Sequence, residues 1–221
     1  MKLFFDLDGT LCDPREGILN GFRHAFEALD RPCPSAQAME ACIGLPLKAC
    51  FEGFGLDEAE AGRGAGLFQS FFEGRGFAEG QLYPGVKEAL VVLQARGHRL
   101  AIVSAKPSFA VRFVAESLGL LPYFDGLFGC APKELAPQKT PILAEALSVT
   151  GWDPADCLFI GDRAQDRDAA AAHGIPFIAA AWGFGLEHEH VGAIHVLHDI
   201  LELLTLPTLS SSPLRAGGGR A

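Results

Sequence analysis

The sequence is poor in positive charge: 18 Lys and Arg stand against 27 Asp and Glu, a formal net charge of −9. Such a surface repels phosphate backbones, which argues against a general nucleic-acid binder. Long apolar runs are missing as well. Met1-Lys2-Leu3-Phe4-Phe5 meets Asp6 too soon for the apolar region of an export signal, and nothing later approaches the ~18 apolar residues of a membrane span. The six cysteines (Cys12, Cys33, Cys42, Cys50, Cys130 and Cys157) include no C-x-x-C pair, so neither a zinc thiolate site nor a disulfide framework is expected. No G-x-x-x-x-G-K-[ST] phosphate loop occurs, and the segments Gly62-Arg63-Gly64-Ala65-Gly66 and Gly183-Phe184-Gly185 follow no dinucleotide-binding pattern. The expectation is a cytoplasmic protein with reduced thiols and neither a nucleic-acid nor a membrane partner. What the chain has in plenty is apolar surface to bury: 49% of its 221 residues are hydrophobic, enough for one or two cored domains and too much for general disorder.

Periodicity gives alternating strands and helices. Short apolar runs at Lys2–Leu7, Arg99–Ser104, Cys157–Gly161 and Pro176–Ala181, with a weaker one at Gly126–Cys130, look like strands buried on both faces. Between them lie helical stretches at Gly85–Arg96, Phe109–Leu118, Pro141–Thr150 and Asp166–His173, each with a glycine at or just past its end. This alternation predicts an α/β fold with a doubly wound parallel sheet. Residues 13–82 break it: they contain helical patches at Gly17–Leu29 and Pro46–Phe54, then a glycine-spaced stretch with Phe68, Phe71, Phe72 and Phe77, and no recognisable strand. They read as a helical insertion, leaving residues 1–12 and 83–205 for the α/β core. Phe51, Phe54, Phe68, Phe71 and Phe72 read as the insertion's core. A final strand within Ala193–Leu197 and a helix at Asp199–Leu204 account for the neighbourhood of His188, His190, His195 and His198 without a metal. Residues 206–221, rich in Pro, Ser and Gly, read as a flexible tail.

The sharpest chemical signal is Asp6-Leu7-Asp8-Gly9-Thr10 at the end of the first strand. Alternate side chains of an extended backbone share a side, so Asp6 and Asp8 aim at one point while Gly9 lets the chain turn beneath them. A second pair, Asp162 and Asp166 in Gly161-Asp162-Arg163-Ala164-Gln165-Asp166, follows another strand in the same manner. Ligands of such sheets bind outside the carboxyl ends of the strands, so both pairs face one crevice. Each close pair of ionised carboxylates costs about 4 kcal/mol at ~4 Å with an effective dielectric of ~20. A hard cation with oxygen ligands relieves that repulsion, and Mg²⁺ is the natural choice. An EF-hand is excluded, because positions five and twelve counted from Asp6 are Thr10 and Gly17. Ser104 ends a strand, so its hydroxyl and the next backbone N–H, that of Ala105, can hold phosphate oxygens. Lys139, at the entry to a helix, is placed to neutralise charge there, with Lys133 as its competitor.

The ordered set Asp6-Leu7-Asp8-Gly9-Thr10, Ser104, Lys139 and Gly161-Asp162 with Asp166 resembles the haloacid dehalogenase superfamily. The insertion after the first motif, together with Ser104-Ala105-Lys106-Pro107 and Gly161-Asp162-Arg163, is similar to the phosphoglycolate phosphatases and related nucleotidases of that superfamily. The resemblance implies a Rossmann-like core with an inserted α-helical cap. It implies an Mg²⁺-dependent phosphomonoesterase in which Asp6 is the nucleophile that forms an aspartyl-phosphate and Asp8 the general acid and base. Thr10 is expected to help fix Asp8. The metal ligands implied are the Asp6 side chain, the Asp8 backbone carbonyl, Asp162, and Asp166 directly or through water. Within the family, Asp8 sets phosphate-ester chemistry apart from halide displacement and phosphonate hydrolysis, while sugar phosphomutases share it. Gly44-Leu45-Pro46-Leu47-Lys48 resembles the family's substrate-reading turn and nominates Lys48, which otherwise reads as a solvated residue at a helix start; Arg15 and Lys106 are further candidates. The substrate implied is a small phosphorylated metabolite such as phosphoglycolate, with nucleoside monophosphates next. The rival from another class is a signalling module phosphorylated on Asp, which shares acidic residues, a hydroxyl and a lysine but carries no cap.

Overall fold

The computed structural model describes residues 1–43, 45–131 and 138–210. In chain order its elements are β1 (Lys2–Phe5), β2 (Cys12–Asp13), α1 (Arg15–Ala28), α2 (Ala36–Glu40), α3 (Leu47–Gly53), α4 (Glu58–Gly74), β3 (Gln81–Leu82), α5 (Val86–Ala95), β4 (Arg99–Pro107) and α6 (Ser108–Ser117). There follow β5 (Gly126–Cys130), α7 (Lys139–Thr150), β6 (Cys157–Gly161), α8 (Ala164–Ala172), β7 (Phe177–Ala180), β8 (His195–Leu197) and α9 (Pro207–Ser210). The chain divides into two compact units, Met1–Leu11 with Leu82–Ala221, and Cys12–Gln81.

The first unit is built on a six-stranded sheet of order β5-β4-β1-β6-β7-β8 whose neighbouring strands are all parallel. The core strands are continuous apolar runs because both faces are covered. Phe4 points to one face, where Phe159, Val103 and Phe128 meet Ile142, Leu143 and Ala146 of α7 and Ala169 and Ala170 of α8. Trp152 lies 5.0 Å from the Phe4 ring centroid in the same cluster. Leu3 and Phe5 alternate to the other face, where Phe5 meets Phe124 edge-on. From β1 the chain builds outward through β4 and β5, then returns to the other side of β1 for β6, β7 and β8. The reversal falls between β1 and β6, so the carboxyl ends of those two strands flank the crevice where such sheets take ligands. Among the described residues no helix is long and apolar enough to cross a membrane.

The second unit is helical around a phenylalanine core of Phe22, Phe26, Phe51 and Phe68, with Leu19 and Met39. Its longest helix, α4, is capped by Asp57, whose side chain accepts the Glu60 N–H at 2.8 Å, and it runs through Gly62, Gly64 and Gly66 despite their poor helix propensity. Packing explains one of these glycines. A Cβ on Gly64 would lie 2.9 Å from the Phe51 ring, and one on Gly21 of α1 would lie 2.7 Å from the Phe68 ring.

The strands and helices read from periodicity recur with ends shifted by up to about three residues. Three readings change. The segment expected to hold no strand carries β2 and β3 at its ends, paired as a two-stranded ribbon; two residues each are too few to show a period. The expected helix at Asp199–Leu204 is a 3-10 stretch, Ile200–Thr205. The tail is ordered at its start, because α9 buries Leu209 and Arg96 Nη1 donates to the carbonyls of Leu204 (2.8 Å) and Leu209 (3.0 Å). Residues 211–221 of the tail lie outside the described residues.

Candidate active site

Asp6 sits just beyond β1, and its N–H still donates to the Ile160 carbonyl of β6 at 2.9 Å. The ladder therefore carries the Asp6 side chain to the crevice beside the end of β6. There the next residue after β6 is Asp162, and α8 begins two residues later with Asp166 in its first turn. The Asp166 carboxylate accepts the Arg163 N–H at 2.9 Å, which caps α8 and fixes the side chain. Asp6, Asp162 and Asp166 are all buried and present oxygens within 4.8 Å of one another. Lys139, the first residue of α7 and itself buried, places Nζ 2.8 Å from Asp6 Oδ1 and hydrogen-bonded to Asp166 Oδ1. Its competitor Lys133 lies outside the described residues.

Asp162 is held from three sides. The Thr10 hydroxyl donates to Oδ1 at 3.3 Å, and the Phe184 N–H donates to Oδ2 at 2.8 Å. Gly9, at φ +84°, lets the chain turn against the same carboxylate, and a Cβ on Gly9 or Gly183 would collide with it. The expectation that Thr10 fixes Asp8 is thereby corrected. The turn in which the Leu11 N–H donates to the Leu7 carbonyl at 2.9 Å carries Thr10 back toward β6, so its hydroxyl meets Asp162 instead.

Asp8 has a different partner: Oδ2 lies 2.7 Å from Lys106 Nζ. Ser104 is buried, and its Oγ accepts the Lys106 N–H at 3.3 Å; Ala105 between them is half-buried. Lys48 lies on α3 in the second unit, where Nζ pairs with Glu58 Oε1 at 2.9 Å and Glu52 Oε1 at 3.6 Å. Arg15 pairs with Asp13 at 3.1 Å in the same unit, and Gly44 lies outside the described residues.

Sequence reasoning missed the segment after β7. Trp182 Nε1 donates to the Thr10 carbonyl at 3.0 Å. Glu189, almost fully buried, accepts from Ala164 N–H at 2.8 Å and Leu186 N–H at 3.1 Å and pairs with Arg163 Nε at 3.2 Å. It thus ties this segment to the start of α8 and brings the Phe184 N–H to Asp162. The two glycines around Phe184 were the available signal, visible only as a close-approach motif and not as a dinucleotide loop.

Three buried carboxylates around one ammonium leave unbalanced negative charge. Burial pushes the Asp6 carboxyl up to about 8; Lys139 pulls it down, and Asp166 and Asp162 push it up again. Asp162 rises to about 6 through burial and the neighbouring Asp166, against the Phe184 N–H. For Lys139 burial works toward the neutral amine, but Asp166 and Asp6 outweigh it and hold the ammonium charged. A donor set made only of hard carboxylate oxygens with surplus negative charge fits a small divalent cation such as Mg²⁺. The pH dependence follows in sign. Carboxyls raised to about 8 and about 6 keep protons in the folded metal-free state that the unfolded chain has lost, so stability falls as pH rises from the ordinary carboxyl value of 3.8 to about 6 for Asp162 and to about 8 for Asp6. A bound Mg²⁺ would replace those protons. The increase in melting temperature on adding Mg²⁺ is expected to grow between about pH 6 and about pH 8; thermal melting with and without the ion across that range measures it.

The comparisons with known proteins bear on this geometry. Residues 3–180 match the family described as haloacid dehalogenase-like hydrolase. The chain belongs to that family. It is an enzyme of the phosphatase kind, a hydrolase of phosphoric monoesters. A 5'-nucleotidase of Pseudomonas aeruginosa is 34% identical over 189 residues, covering 85% of this chain and 86% of that protein. A phosphoglycolate phosphatase of Pseudomonas syringae pv. tomato is 29% identical over 197 residues, covering 82% of this chain and 70% of its own. Among solved structures, a haloacid dehalogenase-like family hydrolase from Streptococcus pneumoniae superposes with a TM-score of 0.82 at 30% identity, covering 92% of this chain and 96% of that one.

Proposed function

We propose that this protein is an Mg²⁺-dependent phosphomonoesterase that hydrolyses a small phosphorylated metabolite through an aspartyl-phosphate on Asp6. The observation that carries the reading is the placement of Asp6: a buried carboxylate at the switch point, 2.8 Å from the Lys139 ammonium and flanked by Asp162 and Asp166. In this scheme Asp6 attacks phosphorus, the ester P–O bond breaks, and Asp8 gives a proton to the departing alkoxide. Asp8 then takes a proton from the water that hydrolyses the acyl phosphate, which returns Asp6 and releases inorganic phosphate. Lys139, the Ser104 hydroxyl and the Ala105 N–H share the charge of the phosphoryl oxygens, the larger part of catalysis for this reaction class. Asp6, Asp162 and Asp166, with the Asp8 backbone carbonyl, are the residues assigned to Mg²⁺, which would neutralise the carboxylates and polarise the phosphoryl group. The helical unit takes the part of a cap, with Lys48 its assigned contact to the substrate. A reducing compartment, the cytoplasm, suits the free cysteines.

The first substrate to test is phosphoglycolate or a close analogue. A second reading, a nucleoside monophosphate, is favoured by the higher identity to the 5'-nucleotidase, 34% against 29%. Phosphate release from phosphoglycolate, nucleoside monophosphates and hexose phosphates, with Mg²⁺ and with EDTA, tests the proposal. Activity is expected with Mg²⁺, to fall at least ~100-fold in EDTA and to return when Mg²⁺ is restored. Full activity in EDTA would remove the metal from the scheme. Isomerisation of a sugar phosphate faster than phosphate release would make the protein a phosphomutase, and a long-lived phosphoprotein without turnover would make it a signalling module.

A further inference from the structure

Lys106 is committed to Asp8 by its backbone as well as its charge. The register between β4 and β5 shifts between Val103 and Pro107, which places Lys106 in an irregular segment of β4. The distortion is held on several sides: the Lys106 N–H goes to Ser104 Oγ at 3.3 Å, and a Cβ on Gly129 would lie 2.5 Å from the Lys106 carbonyl, so that contact requires glycine. The adjoining Ser108 hydroxyl donates to the Gly129 carbonyl at 2.9 Å, and Pro107 restricts Lys106 to an extended backbone. From this fixed point the side chain runs inward, only 7% exposed, to put Nζ 2.7 Å from Asp8 Oδ2, while the Asp8 side chain stays 30% exposed. A solvated surface lysine would have neither the buried stem nor the reserved backbone.

We infer that Lys106 is a positioning residue: its ammonium pins one carboxylate oxygen of Asp8 and so aims the other at the leaving-group oxygen of the substrate. The inference rests on the reading of Asp8 as general acid. The alternative is that Lys106 serves the phosphoryl group directly, through another of its three ammonium N–H donors. The two roles differ in leaving-group sensitivity. An alkyl leaving group needs a proton from Asp8, whereas p-nitrophenolate departs without one. A phosphoryl contact matters equally to both substrates.

The test compares kcat/KM, which reports phosphoryl transfer to Asp6, for β-glycerophosphate and p-nitrophenyl phosphate in Lys106→Met, Lys106→Arg and Asp8→Asn, with melting temperatures recorded. Lys106→Met is expected to lose ~100-fold on β-glycerophosphate and under ~5-fold on p-nitrophenyl phosphate. Lys106→Arg, which keeps the charge, should restore most of the alkyl rate, and Lys106→Met should add little further loss in the Asp8→Asn background. Equal losses on both substrates in Lys106→Met would overturn the inference while a selective loss in Asp8→Asn leaves the general acid in place. Equal losses in Asp8→Asn would overturn the role of Asp8 and the inference with it. Should Lys106→Met fail to fold, Lys106→Gln carries the same comparison.

Discussion

Asp6→Asn is expected to lower turnover of p-nitrophenyl phosphate by at least ~10⁴-fold, the scale on which removal of a covalent nucleophile registers. An amide in place of the carboxylate cannot form the acyl phosphate, and the neighbouring Asp162 and Asp166 are tied to Phe184 and Arg163 backbone N–H groups. The same change should leave the metal-free fold at least as stable as the parent. Burial holds the Asp6 carboxyl near 8, which means that the ionised form is costly there, and asparagine removes that cost. The stabilisation by Mg²⁺ should shrink, since one of the three carboxylate donors loses its charge. Activity measured beside melting curves therefore separates loss of chemistry from loss of fold.

Lys139→Met carries the second largest effect, with the opposite sign in stability. The Lys139 ammonium is the cation between Asp6 and Asp166, and removing one partner from a buried ionic cluster costs ~3–5 kcal/mol because the other charges stay behind. For a domain of this size ~1 kcal/mol corresponds to ~2–4 °C, so a fall of ~10 °C in melting temperature is expected. Turnover should fall ~10²- to 10³-fold, since the charge proposed to meet the phosphoryl oxygens would be lost. Added Mg²⁺ should recover part of the stability and little of the rate. Combining Lys139→Met with Asp166→Asn should be less destabilising than the single effects added together, because the pair share one interaction.

Much of this architecture was legible because its causes are local. Cys157–Gly161 could be read to the residue, since a strand buried on both faces is an unbroken apolar run bounded by polar residues. Asp6 and Asp162 could be placed in one crevice because both follow such runs and the winding of the sheet does the rest. What was missed depends on contacts across the fold. Helix α4 is hidden by Gly62, Gly64 and Gly66, and only the Phe51 ring pressed on Gly64 shows why a small residue is wanted. The pairing of Asp8 with Lys106, and of Thr10 with Asp162, joins segments about 100 to 150 residues apart, and the Trp182 bond to Thr10 spans 172. No local spacing encodes them. Spacing alone also left Lys139 and Lys133 open; the burial of Lys139 between two carboxylates is a fact of tertiary structure.

The most direct measurement is a rapid acid quench of the Mg²⁺-loaded enzyme during turnover of a ³²P-labelled substrate, followed by peptide mapping. Transient label on the peptide Met1–Arg15, absent from Asp6→Asn and discharged by hydroxylamine as an acyl phosphate is, is the predicted result. Turnover that proceeds with no covalent label, or with label on a peptide lacking Asp6, would contradict the account.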